Sequence, residues 1–169
     1  MNSSVCLVSL ERKDLPFVRD TYNYYIGHST AIFYLHPLSA EETEQIVPVG
    51  DARYLSFLIT EGGQPCGFCY IARFKPKEAF DITVEITLYL TPGCEGRGIG
   101  TAALGLFEEH IRRAGFSNIV ALITGENEAS IRLFTKNGYT CAGRIREVAE
   151  KFGRRLDLVL FQKQLGLSR

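Results

Sequence analysis

The chain has no excess of charge of either sign. Lys plus Arg and Asp plus Glu each number 19 in 169 residues, so the formal net charge is zero. A nucleic-acid-binding domain usually carries a basic surplus, and this balance argues against one. No apolar run is long enough to span a membrane. The apolar stretch at residues 5–10 runs straight into Glu11-Arg12-Lys13-Asp14, which is not the pattern of a secretory leader, so a cytoplasmic location is expected. Cysteine is sparse and odd in number: Cys6, Cys66, Cys69, Cys94 and Cys141. Cys66-Gly67-Phe68-Cys69 has the C-x-x-C form, but no second pair completes a zinc site. Its flanks read as strand rather than as the strand-to-helix turn of a redox motif. Reduced structural thiols and no metal are expected. Linkers, repeats and low-complexity segments are also lacking. At 46% hydrophobic and 22% charged residues, the composition is that of one globular domain over residues 1–169.

Periodicity and turn residues outline an α/β (α+β) fold. Residues 5–10 read as a strand. Asp14 looks like a helix N-cap, with Pro16 in the first turn and Val18, Tyr22 and Tyr25 at helical spacing. Ser39 and Glu42 form an S-x-x-E capping box that opens a short helix ending before Pro48. Residues 54–60 and 65–74 make a hairpin around Gly62-Gly63, and residues 81–90 make a long strand. Leu104, Phe107, Ile111 and Ala114 mark an amphipathic helix that stops at Gly115. A short strand at 118–123, a helix at 127–137 and a final hairpin at 139–148 and 154–162 complete the chain.

The stretch V-E-I-T-L-Y-L-T-P-G-C-E-G-R-G-I-G-T, residues 84–101, carries the chemistry. A strand bearing Glu85 runs through a Pro-Gly break into Gly96-Arg97-Gly98-Ile99-Gly100 and a helix start. This is not a Walker loop, since no G-K-[ST] follows, and its glycine spacing fails the dinucleotide fingerprint G-x-G-x-x-G. What remains is a set of small residues that let the backbone approach an anion, free amides of a first helical turn, and Arg97 as a charged contact. A plain glycine-rich turn into a helix fits the loop alone equally well.

The order of these features resembles the GNAT superfamily of N-acetyltransferases, and within it the phosphinothricin and methionine sulfoximine N-acetyltransferase group. The resemblance rests on Tyr22-Asn23-x-Tyr25, Ser29-Thr30, Thr83-Val84-Glu85, Leu88-Tyr89-Leu90, the glycine loop, Asn127-x-x-Ser130-Ile131 and Lys151-Phe152-Gly153-x-x-x-Asp157. It implies a mixed, mostly antiparallel sheet of about seven strands with helices on both faces, and a homodimer. It also implies acetyl-CoA as co-substrate, lying between two splayed parallel strands. The pantetheine arm would follow Leu88, Tyr89 and Leu90. The diphosphate would rest on Gly96, Arg97, Gly98, Ile99, Gly100 and Thr101, with Asn127 and Ser130 contacting the cofactor from the next helix. Glu85 matches the general base that takes the proton of the attacking amine. A backbone N–H near Leu88 would polarise the thioester oxygen. Lys75, Pro76 and Lys77 occupy the loop that contacts the acidic end of an amino-acid-like substrate, and Ile86 and Thr87 line the same pocket.

Three positions depart from the group. Glu95 stands where Gln or Arg is usual, and a carboxylate there opposes diphosphate binding unless it faces solvent or is paired. Phe134 replaces His or Tyr and has no proton to give a departing thiolate. Arg155 replaces a tryptophan in the final hairpin, beside Lys151 and Arg154. The implied activity is direct acetylation, within a ternary complex, of the primary amine of a small amino acid or analogue bearing an acidic group, of the phosphinothricin or methionine sulfoximine type. A protein N-terminal or polyamine acetyltransferase, with an open acidic cleft, and a non-catalytic CoA sensor are the rivals.

Overall fold

The computed structural model describes residues 4–166. The elements are β1 (Val5–Ser9), α1 (Leu15–His28), α2 (Ala40–Ile46), β2 (Ser56–Glu61), β3 (Gln64–Arg73), β4 (Thr83–Leu90), α3 (Ile99–Arg113), β5 (Asn118–Thr124), α4 (Glu128–Lys136), β6 (Thr140–Lys151) and β7 (Arg154–Gln164). The seven strands form one sheet in the order β1-β2-β3-β4-β5-β7-β6. Every neighbouring pair is antiparallel except β4 with β5.

Alternation along the central strands splits the interior into two cores. On β2 and β3, Phe57, Ile59, Cys69 and Ile71 face one side, where Ala103, Leu104, Phe107 and Ile111 of α3 meet them with Phe134 of α4. Leu58, Phe68 and Tyr70 face the other side, against Val18, Tyr22 and Ile26 of α1. Each fully buried aliphatic or aromatic side chain contributes about 1.5–3 kcal/mol, so both layers hold the sheet. The same period of two on β4 sends Val84 and Ile86 to the α3 core and Tyr89 toward the α1 core.

Local signals explain most boundaries. Ser39 Oγ accepts from Glu42 N–H (3.1 Å) and Glu42 Oε2 accepts from Ser39 N–H (2.8 Å), which is the anticipated capping box. Asp14 does precede α1, but its carboxylate caps the preceding 3-10 turn by accepting from Glu11 N–H (2.9 Å). The strand expected from residue 54 begins at Ser56. Asp51 Oδ1 accepts from the N–H groups of Arg53 (2.7 Å) and Tyr54 (2.9 Å), a turn that delays the extended backbone. The β6 strand runs on to Lys151, past the expected end, through an irregularity between Ile145 and Ala149.

One strand pair sets up everything that follows. The parallel β4 and β5 pair only at Thr83 with Asn118, Val84 with Ile119 and Glu85 with Val120. β4 stays bonded to β3 as far as Leu90, and β5 to β7 as far as Thr124. Beyond Glu85 their facing edges separate, and main-chain groups there have no strand partner. Buried main-chain polar groups in that state need a ligand or water.

The close approach of β3 to β4 depends on Gly67. A Cβ on it would lie 2.4 Å from the Tyr89 carbonyl oxygen and 2.9 Å from the Leu90 side chain. The contact is with backbone, so it cannot be relieved by a rotamer change. Gly67→Ala is expected to destabilise the protein by about 1–3 kcal/mol. Urea unfolding with an unchanged midpoint would show that β4 is free to shift.

Candidate active site

Between the splayed strands lies a cavity of about 490 Å³. Ile86, Thr87, Leu88 and Tyr89 of β4 line it with Ala121, Leu122 and Ile123 of β5. Asn127 and Ser130, at the start of α4, close one side. Tyr22, Tyr70, Phe33 and Tyr34 close another. Glu85 is its one charged lining residue among the described residues. Burial pushes the Glu85 carboxyl above the usual carboxylate range, and the charge of nearby Lys75 draws it partly back.

The wall opposite α4 is made of phenols. Tyr22 and Tyr70 hydroxyl oxygens lie 2.5 Å apart, and Tyr34 sets its ring edge-on to Tyr22 at 6.4 Å. Burial pushes Tyr70 up to about 12, while hydrogen bonds from Tyr22 and Thr87 act in the opposite direction. These hydroxyls therefore stay protonated at neutral pH and can both donate and accept. Phe33 and Tyr34 line the cavity and keep partial exposure, whereas Phe80 packs on Phe74 away from it.

The glycine loop lies past the end of β4. Gly96 and Gly98 have φ of 72° and 80°, in the left-handed region that favours glycine. Gly98 is the N-cap of α3 and has no side chain to occupy the helix end. The first hydrogen bond of the helix joins Ala102 N–H to the Gly98 carbonyl (3.1 Å). The amides of Ile99, Gly100 and Thr101 consequently lack intrahelical acceptors. A Cβ placed on Gly93, Gly96 or Gly98 would meet nothing within 4 Å, so the loop surface is open. Such an uncapped, positively polarised helix start fits a diphosphate, and the unpaired edges of β4 and β5 fit a chain of amides. Arg97 is paired with Glu61 of β2.

The predicted residues thus fall into three places. Glu85, Ile86, Thr87, Leu88, Tyr89, Asn127 and Ser130 share the cavity. Leu90 and residues 96–101 continue from it, with the Leu90 side chain 3.8 Å from where a Gly100 Cβ would sit. Lys75, Pro76 and Lys77 do not line the cavity, and Lys75 acts on Glu85 through its charge. Asn127 is the N-cap of α4, its side-chain oxygen accepting from Ser130 N–H (3.1 Å). Phe134 is a core residue that reaches the cavity floor, stacked edge-on against Tyr139 at 4.9 Å. Sequence reasoning missed the cavity roles of Tyr22 and Tyr70. Their helical and strand spacing reads as core, and only the tertiary contact brings the two hydroxyls together.

Glu95 is held in place. Its Oε1 accepts from the Tyr25 hydroxyl (2.8 Å) and its Oε2 from Gly93 N–H (2.7 Å). The Tyr25 hydroxyl also lies 2.7 Å from the Leu90 carbonyl. Partial burial acts to raise the Glu95 pKa, but its own amide, Tyr25 and Gly93 together hold it below the usual range. The carboxylate is therefore paired by neutral donors and keeps its charge beside the loop.

Comparison with known proteins places this arrangement. The Acetyltransferase (GNAT) family pattern matches residues 17–139. An L-methionine sulfoximine/L-methionine sulfone acetyltransferase of Pseudomonas aeruginosa is 30% identical over 158 residues, covering 92% of each chain. A phosphinothricin N-acetyltransferase of Streptomyces coelicolor is also 30% identical, over 90% of this chain and 92% of that one. The crystal structure of a GNAT superfamily phosphinothricin acetyltransferase from Sinorhizobium meliloti in complex with acetyl-CoA superposes with a TM-score of 0.89. It is 26% identical and covers 98% of this chain and 90% of that one.

A glutamine at position 95 can keep the clasp: its carbonyl accepts from Gly93, and its amide donates to Tyr25, whose proton then goes to Leu90. Glu95→Gln is therefore expected to remove a charge without loosening the loop. Coenzyme A should bind about two- to fivefold more tightly, the size of a screened surface interaction. Glu95→Ala, which loses both contacts, should show no such gain. Titration calorimetry on the two variants checks the pair.

Proposed function

The chain belongs to the acetyltransferase (GNAT) family, and on that footing we propose that it moves the acetyl group of acetyl-CoA directly onto the primary amine of a small amino acid or analogue within a ternary complex. One observation carries the reading: a half-buried carboxylate, Glu85, opens into the same cavity as the unpaired edges of β4 and β5. The free amides of α3 lie further along the same path. The amine nitrogen attacks the thioester carbonyl, the new C–N bond forms, and the C–S bond breaks with the electron pair leaving on sulfur. The amine proton passes to Glu85, directly or through water. The departing thiol titrates near 8.5, so it leaves without an acid from Phe134, and solvent completes its protonation. A main-chain N–H of β4 near Leu88 supports the carbonyl oxygen as charge gathers on it. Gly96, Arg97, Gly98, Ile99, Gly100 and Thr101 hold the diphosphate, Leu88, Tyr89 and Leu90 the pantetheine arm, and Asn127 and Ser130 the cofactor from α4.

The lining bears on the acceptor. With Glu85 as its one charge and with Tyr34, Tyr70 and Thr87 as hydroxyl donors, the cavity suits a substrate whose far end is neutral and accepts hydrogen bonds. A strongly anionic end would be left there without a cation, which buried charge does not tolerate. Lys75 and Lys77 of the Lys75-Pro76-Lys77 loop are the cations available to an α-carboxylate. A single carboxylate in the lining also disfavours a polyamine or a protein N-terminus, for which an acidic cleft is expected. Among the described residues no helix is long and apolar enough to cross a membrane. The same reading takes the protein to be a cytoplasmic homodimer, which equilibrium sedimentation tests.

A thiol-release assay with acetyl-CoA separates these acceptors. Methionine sulfone or sulfoximine is expected to be turned over faster than phosphinothricin or spermidine, and the reverse order would refute a neutral-ended acceptor. Glu85→Gln should lower kcat about 10²-fold while coenzyme A affinity stays the same. The base works as the carboxylate, so kcat/KM falls as pH drops through its raised pKa. Removing the positive charge with Lys75→Met raises that pKa further, and the acidic limb of the profile should move to higher pH. A limb that stays in place would assign it to another group.

A further inference from the structure

The motif Lys151-Phe152-Gly153-x-x-x-Asp157 resembles the family pattern, yet the reaction above uses none of it. Its outer part shapes the hairpin. Phe152 and Gly153 both have positive φ (52° and 68°) in the two-residue turn between β6 and β7, as a type I′ turn requires. Asp157 accepts from Glu147 N–H (2.8 Å) and from Arg144 (2.6 Å), holding the irregular stretch of β6 that brings Val148 and Ala149 to the cavity.

Lys151 does something else. The sequence groups it with Arg154 and Arg155, which would suit a pairing face, an acidic-substrate funnel or a solvated face, but its side chain is buried, with the residue 3% exposed. Among the described residues its ammonium has no carboxylate within ion-pair distance. It donates to the Ile32 carbonyl (2.9 Å) and lies 5.1 Å from the Phe152 ring centre. An ammonium buried without a counter-ion is costly, and desolvation lowers its pKa. A position of this kind calls for a compensating role.

Ile32 lies in the segment between α1 and α2, residues 29–39, which has no regular structure and roofs the cavity with Ala31, Ile32, Phe33 and Tyr34. Three successive carbonyls of this segment are each taken by a side chain from a different strand. Thr124 of β5 donates to Thr30 (2.6 Å), Tyr89 of β4 to Ala31 (3.1 Å), and Lys151 of β6 to Ile32. Thr30 Oγ also donates to Glu126 (2.5 Å), which is itself gripped by both terminal nitrogens of Arg154. At the far end Asn23 holds Leu38 through two hydrogen bonds (2.7 and 3.1 Å). The intervening part, which carries Phe33 and Tyr34, hangs between these anchors.

We propose that Lys151 is a positioning residue for the acceptor amine: by holding the Ile32 carbonyl it fixes the residue 29–36 strap, and with it Phe33 and Tyr34, over the half of the cavity that faces Glu85. The proposal rests on the acetyltransferase reading for its kinetic consequence and on the hydrogen-bond pattern alone for its mechanical one. The coenzyme contacts proposed above lie on β4, the glycine loop and the start of α4, and none is a strap residue, although the Tyr89 hydroxyl touches the strap at Ala31; the two substrates therefore respond differently when the strap is loosened.

The test uses the full chain with Lys151→Met, which keeps the length of the side chain and removes the ammonium. KM for the amine is expected to rise about five- to tenfold, the size of one typical net hydrogen-bond contribution, while KM for acetyl-CoA stays within about twofold. Lys151→Arg, which restores a donor, should recover part of the loss. Amide exchange should quicken at residues 29–36 and stay constant in β4 and β5. If both KM values rise together with faster exchange across the sheet, or if neither moves, Lys151 is not a positioning residue. Thr124→Val removes the neighbouring anchor and should give the same split, so a Lys151→Met chain that fails to fold does not end the test. If the unaltered protein releases no thiol with any amine, the acetyltransferase reading fails, and amide exchange still decides whether Lys151 holds the strap.

Discussion

Parallel pairing that stops after three residue pairs is the constraint on which the rest of the molecule depends. Were β4 and β5 to stay bonded beyond Glu85 and Val120, the sheet would be continuous and the cavity would not exist. Each strand is instead kept straight by its other neighbour, β4 by β3 and β5 by β7. The gap is therefore a rigid feature of the sheet rather than a frayed end. Because it begins beside Glu85, the last paired residue of β4 also becomes the first residue at the opening. The proposed base and the proposed cofactor path therefore share one origin in strand geometry.

Around this gap the protein uses hydroxyls and main-chain groups where charge would be expensive. Tyr22, Tyr70 and Tyr89 are buried phenols with hydrogen-bond partners, and none needs to ionise. Glu95 keeps its negative charge beside a loop suited to anions because a phenol and an amide both donate to it. Buried cations are used sparingly. Lys151 is the exception, with a carbonyl dipole and a ring in place of a counter-ion. Polar groups whose partners are all specified tolerate little rearrangement, which favours one arrangement of the walls over many.

Much of this was legible in the chain. Ser39 and Glu42 announced their capping box, and Gly115 marked a helix end that the structure keeps. The succession of strand, Pro-Gly break and glycine loop located the uncapped start of α3, because those signals are local and their physics is short-ranged. Tertiary pairings were not legible. Nothing in the residues near Glu95 indicates Tyr25, 70 positions away, and nothing near Lys151 indicates Ile32, 119 positions away. Lys151 in particular stands beside Arg154 and Arg155 in the chain, and only its burial and its hydrogen bond to the distant Ile32 carbonyl set it apart. The early stop of β4–β5 pairing was likewise available only through family resemblance, since each strand alone has an ordinary alternating pattern.

The open seam between β4 and β5 also bears on how the protein survives in its surroundings. A molecule whose amides lie along both bare edges acts as a missing strand and completes the hydrogen bonding of the sheet. A ligand that needs both edges in place has no site on the unfolded chain, so it would add to the folding free energy in proportion to the logarithm of its concentration, about 2.7 kcal/mol at a hundredfold excess over its dissociation constant. The acyl donor would then be a folding partner as well as a reagent. A fall in its supply would leave the chain both idle and more easily unfolded, tying its lifetime to the metabolic state around it.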